Sequence, residues 1–80
     1  MSITLRLVSP ARLEDAPMRR WVEGRDAYVA AGGSPDTPSA VMLDGAGHVR
    51  EILFYKTGGI ELLARVRVDE DGALKRVEQL

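Results

Sequence analysis

The segment Lys56-Thr57-Gly58-Gly59 contains residue types that two kinds of chemical site use. A phosphate-binding loop has the pattern G-x-x-x-x-G-K-[ST] between a strand and a helix, whereas here Lys-Thr precedes the glycines and Tyr55 occupies the position of the second glycine. A serine β-lactamase combines K-T-G on a strand with a nucleophilic S-x-x-K, and no serine of this sequence has a lysine three residues later. Apolar stretches flank the segment, so we interpret Gly58-Gly59 as a hairpin turn.

Metal ligands and nucleophiles are scarce in this sequence. The absence of cysteine excludes disulfides, thiolate nucleophiles, iron–sulfur clusters and zinc sites of the cysteine type. His48 is the only histidine, so a multi-histidine metal site is excluded, and we expect its side chain at the surface near a hairpin. Asp69-Glu70-Asp71-Gly72 resembles part of a calcium-binding EF-hand loop, but Arg67 would occupy the first ligand position and the flanks are predicted strands. We predict no catalytic residue, no metal, no cofactor and no enzymatic activity.

Length and charge restrict the class of protein. Eighty residues make a single domain, 1–80, with a core so small that such domains often gain stability by pairing with a copy or a partner. Eleven basic and 12 acidic residues give a net charge of −1, which argues against a general polyanion binder and against a DNA mimic. The first residues, Met1 to Leu7, lack a long apolar segment, so we expect no signal peptide and a soluble, cytoplasmic protein without membrane contact.

The first half of the chain predicts a strand followed by a helix. Ile3, Leu5 and Leu7 alternate with polar residues, which indicates a strand with one buried face. Ser9-Pro10 is a plausible start of a short helical turn, and Gly32-Gly33 is expected to end the main helix. From Pro17 onward, one stripe of helical spacing contains Met18, Trp21, Val22, Arg25, Tyr28 and Val29. We expect Arg25 to extend from this stripe towards solvent at its charged end.

The second half predicts an antiparallel meander. The predicted strands are 40–43, 49–56, 60–68 and a weaker one at 73–80. Asp44-Gly45-Ala46-Gly47 and Asp69–Gly72 are turn sequences, and the Asp-Gly pair is expected to supply the positive φ of the first turn. The fold class is therefore α+β with the order β-α-β-β-β-β, in which one amphipathic helix packs on a mostly antiparallel sheet.

Three stretches resemble the opening β-α unit and the second strand of the GNAT acetyltransferases. They are I-T-L-R-L-V, L-E-D-A-P-M-R-R-W-V and A-V-M-L-D-G-A-G-H-V-R-E-I-L, and together they cover roughly half of the chain. That family holds the acetyl-CoA pyrophosphate with an R/Q-x-x-G-x-G/A loop before a helix, and this sequence has no such loop. The resemblance implies a shared β-α arrangement and no acetyltransferase activity.

One face of the predicted sheet is the candidate working surface. On the strand at 60–68, Leu63, Arg65 and Arg67 point away from Ala64 and Val66. If the helix covers the other face, this one carries those three residues and either Phe54 or Tyr55, and an apolar patch rimmed by arginine usually marks an interface. Homodimer packing, a partner surface and an ordinary half-solvated sheet all fit. The candidate binding residues are Arg65, Arg67, Leu63, Tyr55, Lys56 and Arg50.

Two functions fit this surface. The first is a small non-enzymatic protein-interaction module, such as a phage-type stoichiometric inhibitor of the anti-CRISPR kind, which covers a surface of a larger complex. Arg65 and Arg67 would then anchor to acidic groups of the protein partner. The alternative is a small nucleic-acid-binding protein, with phosphate contacts from arginines and Lys56 and a base stacked on Tyr55. Neighbouring glutamates weaken this alternative.

Overall fold

The computed structural model describes residues 4–80 and confirms the predicted α+β fold. Its elements are β1 (Arg6–Val8), a 3-10 helix (Pro10–Arg12), α1 (Asp15–Ala30), β2 (Ser39–Leu43), β3 (Val49–Tyr55), β4 (Leu62–Arg67) and β5 (Glu78–Gln79). The five strands form one sheet in the order β1-β2-β3-β4-β5, and each neighbouring pair is antiparallel. Ile3, which belongs to the predicted first strand, lies outside the described residues.

Both helical segments begin or end where the sequence predicts. The Ser9 side chain accepts a hydrogen bond from the backbone N–H of Ala11 at 3.4 Å and caps the 3-10 helix. At the end of α1, Gly33 N–H donates to the Tyr28 carbonyl and Gly32 N–H to the Val29 carbonyl, each at 3.0 Å. This is a Schellman motif, and it needs the positive φ of 104° that Gly32 supplies.

The β2–β3 and β4–β5 turns have the same five-residue arrangement. In each, the Oδ1 atom of the first aspartate, Asp44 or Asp69, accepts hydrogen bonds from the N–H groups two and four residues later, at 2.9–3.0 Å. The positive φ falls three residues after the aspartate, at Gly47 (83°) and Gly72 (86°). The expectation that Gly45 supplies it is wrong, because a three-residue loop places its left-handed residue last.

The Lys56–Gly59 segment is the turn between β3 and β4, as predicted. Gly59 N–H donates to the Lys56 carbonyl at 3.1 Å, and Lys56 N–H donates to the Glu61 carbonyl at 2.8 Å. Gly58 has a φ of 80°, the left-handed value that this turn requires. The backbone geometry of the turn therefore accounts for the glycine at position 58.

The core lies between α1 and one face of the sheet, chiefly over β3 and β4. The Tyr28 and Phe54 rings stack with centroids 4.1 Å apart and an interplanar angle of 10°. Gly24 lies so close to the sheet that a Cβ added to it would overlap the Cδ1 atom of fully buried Ile52. The Trp21 Nε1–H group donates to the Ser39 hydroxyl at 2.9 Å and joins α1 to β2. Arg25 is not buried, since its side chain is 37% exposed, and its guanidinium lies 4.9 Å from the centroid of the Trp21 ring.

The outer strands differ from the prediction. Leu5 and Leu7 were expected to be buried, but they are 47% and 56% exposed, and Val8 is the residue of β1 that packs against the core. Alternation shows which residues share a face of a strand, but only tertiary packing decides which face is covered.

The last predicted strand, 73–80, is too long. Leu74 pairs with Val68 and Glu78 pairs with Arg65, so four steps along the last segment match three steps along β4. One residue is extra, and the ladder is interrupted until Glu78.

The contact between Gly24 and Ile52 predicts a coupled pair of mutations. Gly24→Ala gains about 1 kcal/mol of helix propensity, but forcing a methyl group into a packed core typically costs about 1–3 kcal/mol. We therefore expect a net loss in the free energy of unfolding, measured by urea denaturation.

Ile52→Val removes the Cδ1 atom that the new methyl would overlap, so Gly24→Ala becomes neutral or stabilising in that background. Gly45→Ala is the control, because no atom lies within 4 Å of its added Cβ. Strictly additive effects of Gly24→Ala and Ile52→Val would contradict the proposed contact.

Candidate interaction surface

The face of the sheet away from α1 carries the candidate surface, and we call it the open face. Residues that pair across antiparallel strands point to the same side, so the register defines which side chains share this face. Its members are Leu7 on β1, Ala40 and Met42 on β2, Glu51, Leu53 and Tyr55 on β3, Leu63, Arg65 and Arg67 on β4, and Glu78 on β5. Tyr55 is therefore the aromatic residue of this face, because Phe54 lies in the core with 1% exposure.

Apolar side chains are concentrated at two opposite corners of the open face. The first apolar corner consists of Leu7 and Met42, together with Leu5, which precedes β1 and lies on the same side as Leu7 by alternation. The second apolar corner consists of Tyr55, Leu63 and Leu80, where the Leu80 N–H donates to the Leu63 carbonyl at 2.9 Å. Exposure reaches 47% at Leu5, 56% at Leu7 and 63% at Leu80. Several large apolar side chains thus remain in contact with water at both corners.

A bulge brings Leu62 next to the second apolar corner. Phe54 pairs with Ala64 and Tyr55 pairs with Leu62, so two residues of β4, Leu62 and Leu63, lie opposite Tyr55. The sequence pattern assigns Leu62 to the side of Ala64. The pairing with Tyr55 shows that this assignment is wrong, since strict alternation ends at the bulge.

Charged side chains occupy the middle of the open face and neutralise one another. Arg65 Nε donates to Glu78 Oε2 at 2.5 Å, and Arg65 Nη1 lies 3.6 Å from Glu51 Oε1. The hydrogen bond between Arg65 and Glu78 raises the pKa of the guanidinium and lowers the pKa of the carboxyl. Arg65 therefore has two carboxylate partners within its own chain. An acidic group of another protein would have to compete with both of them if Arg65 served as the predicted anchor.

Arg67 is the other cation of the open face. Its side chain is exposed, and it forms no ion pair with any residue in 4–80. It adds to the electrostatic lowering of the Glu78 pKa. With Arg65, Glu51 and Glu78, it brings the formal charge of the open face to zero.

Lys56 and Arg50 do not join the other four predicted residues. Lys56 lies exposed in the β3–β4 turn, and Arg50 lies at the opposite end of β3, so six residues, or about 20 Å of strand, separate them. Arg50 Nε donates to Asp44 Oδ2 at 2.8 Å. The pKa of Asp44 is lowered first by the hydrogen bond from the His48 backbone and also by Arg50. Arg50 thus braces the β2–β3 turn.

Arg50 also lines a pocket of about 230 Å³ between the start of α1 and the two aspartate turns. Arg20 and His48 share its wall with Asp69, Glu70 and Asp71, so the pocket does not favour one sign of charge. The His48 side chain is 73% exposed, as predicted.

Residues 4–80 contain no group of three or more histidine, aspartate or glutamate side chains that could hold a metal ion. The described part of the chain has no helix long and apolar enough to cross a membrane.

Sequence reasoning missed the first apolar corner and Leu80. The period-two pattern of Leu5 and Leu7 was visible, but it indicated burial because a strand with alternating leucines usually faces a core. The number of predicted helices could have indicated them. A single helix covers only one face of a sheet, so apolar residues on the other face are expected to be exposed.

No protein-family model, no curated protein and no solved structure matches this chain at a significant level. The open face is therefore interpreted from its own chemistry.

The ion pair at the centre of the open face predicts a pH-dependent contribution to stability. Because the pKa of folded Glu78 lies below its ordinary value of 4.5, its stabilising contribution is fully present above that value and is lost as the pH falls through the lowered pKa. We expect Glu78→Gln to lower the free energy of unfolding at pH 7, and this difference from wild type to shrink under acid conditions. Urea denaturation at several pH values measures both.

Glu61→Gln is the matched control, since Glu61 is an exposed carboxylate beside the β3–β4 turn and forms no ion pair within residues 4–80. An equal loss from Glu78→Gln at pH 7 and under acid conditions would contradict the role of the Arg65–Glu78 pair.

Proposed function

We propose that this chain is a non-enzymatic protein-interaction module whose working surface is the open face. The observation that carries the proposal is the pair of exposed apolar corners around a charge-neutral centre. An exposed apolar patch with a polar, charged component is the usual composition of a protein interface. Covering Leu7 and Leu80 would remove apolar surface from water that folding of the chain leaves exposed.

The dimensions of the sheet support a small, one-to-one interface. Five strands spaced by about 4.8 Å and a seven-residue β3 give a footprint of at most roughly 20 by 23 Å, since β1 and β5 are shorter than β3. This is below the ~800 Å² per partner of a standard interface. Affinity would therefore depend on a few anchors, for which Leu7, Tyr55, Leu80 and Arg67 are the candidates.

Occlusion is the mode of action that we propose. A stoichiometric inhibitor of the phage type, such as an anti-CRISPR protein, needs only a stable face that covers a functional surface of a larger complex. The open face belongs to a sheet braced by α1 on its other side, so it would meet a partner with little change in backbone shape.

Nucleic-acid binding through the same face is the alternative. It requires several cations free to contact phosphates. Here Glu51 and Glu78 already pair with Arg65, and Arg67 remains the cation of the open face with no ion pair in residues 4–80. This charge balance favours a protein partner.

The proposal is tested by capture with matched variants. Tagged wild-type protein is incubated with bacterial lysate and with labelled oligonucleotides at low and physiological salt, and binding is followed by mass spectrometry and fluorescence anisotropy. We expect a captured protein that is retained by Ile60→Glu and lost with Leu7→Glu, Leu80→Glu and Arg67→Glu.

Ile60 is the control because it is 93% exposed at the β3–β4 turn and lies outside the open face. Equal capture by all variants would rule out the open face as the binding surface. Oligonucleotide binding that falls steeply with salt, together with no captured protein, would replace the proposal with its alternative.

A further inference from the structure

The open face has a layout that complements itself. Its register defines parallel rows: Leu7–Met42–Glu51–Arg67, then Ala40–Leu53–Arg65–Glu78, with Tyr55, Leu63 and Leu80 beyond them. Neighbouring strands lie about 4.8 Å apart, and alternate residues of one strand about 6.7 Å apart. On this grid the two apolar corners occupy opposite ends of one diagonal, and Leu53 lies near the centre.

From this layout we propose that two copies of the chain pair open face to open face about a two-fold axis. The axis lies in the interface and follows the diagonal that does not join the two apolar corners. Rotation about this axis places each residue on one side of the axis against a residue on the other side in the second copy. Each contact between two different residues therefore occurs twice. The first apolar corner of each copy then meets the second apolar corner of the other. This proposal rests on the same working surface as the proposed function and names one partner for it.

The same axis also matches the remaining residues of the face. It sets the large Tyr55 ring against the small Ala40, and it passes over Leu53, which is only 6% exposed in the single chain. The strands of the two sheets cross at nearly a right angle, which is one of the two arrangements that stacked sheets adopt. Large side chains thus meet small ones, as close packing between sheets requires.

Charge complementarity selects this diagonal over the other one. The proposed axis sets Arg65 of each copy over Glu51 of the other. The two Arg67 side chains meet beside the axis, where each is long enough to turn towards Glu78 of the second copy. An axis along the other diagonal would also pair apolar groups, but it would set Arg65 over Tyr55 and Glu51 over Ala40. Arg65 and Glu51 would then lose contact with water and keep only the ion pairs within their own chain, with no opposite charge from the second copy in return, which costs free energy.

Self-association has a consequence for the proposed function. The dimer covers the face that a protein partner would use, so dimer formation and partner binding compete. The small footprint limits the dimer to a weak, reversible complex in about the micromolar range of dissociation constant. Dilution or an excess of partner would then expose the open face.

Sedimentation velocity from micromolar to millimolar protein tests the proposal. We expect a concentration-dependent monomer–dimer equilibrium for wild type and for Ile60→Glu. Leu7→Glu, Leu80→Glu and Leu80→Lys are each expected to weaken the dimer by about tenfold or more, because each puts a charge opposite an apolar corner. These leucines are exposed, so circular dichroism should show an unchanged fold.

Mixtures of variants test the geometry of the axis. In a mixed dimer of Leu7→Glu with Leu80→Lys, the new glutamate meets the new lysine and the other pair of corners stays apolar. We expect this mixture to recover dimer, and the mixture of Leu7→Glu with Leu80→Glu not to recover it.

A monomeric wild type at every concentration would overturn the dimer, and equal behaviour of the two mixtures would overturn the axis. Capture of a different protein by the open face is measured separately. A monomeric wild type that still captures a partner would therefore leave the proposed function intact. Dimer formation without any capture would remove the proposed function and leave the dimer.

Discussion

The close packing of α1 on β3 controls the arrangement of the whole molecule. Gly24 lets the helix backbone approach Ile52, and one turn further along Tyr28 stacks on Phe54. A helix of 16 residues is about 24 Å long and about 10 Å wide, so it covers part of one face of a five-stranded sheet. The described chain has no second helix of that length for the other face. Leu7 and Leu80 are exposed because no helix of the described chain packs on their face of the sheet.

The turns and bulges determine which side chains meet on the uncovered face. The Lys56–Gly59 turn and the bulge beside it set the pairing of β3 with β4, and the Asp69 turn with the extra residue after it sets the pairing of β4 with β5. Together these registers bring Glu51, Arg65 and Glu78 into adjacent strands. A slip of one residue in any of these pairs would move a charged side chain to the core side. The ion pairs therefore depend on hydrogen bonds in turns at the edge of the sheet.

Internal neutralisation explains why arginines on a sheet do not make a basic surface here. Arg65 is held by two carboxylates, and Arg50 is held by Asp44 at the far end of β3. What the open face offers to another molecule is apolar area at two corners and a balanced set of charges between them. This composition suits a protein surface of mixed chemistry, and the layout of the face makes a second copy of the chain one such surface.

The sequence alone determined the features that depend on local backbone chemistry. Gly32-Gly33 ends α1, Asp44 and Asp69 begin turns, and Lys56–Gly59 is the turn between β3 and β4, because each depends on residues within a few positions of one another. Tertiary structure alone decided that Leu7 faces solvent, that Leu62 joins Tyr55 and that Arg65 pairs with Glu78. Leu7 lies beside Met42, 35 residues later, and such partners follow from register and from which face α1 covers. The hydrophobic periodicity of a single strand indicates neither the strand register nor the face that the helix covers.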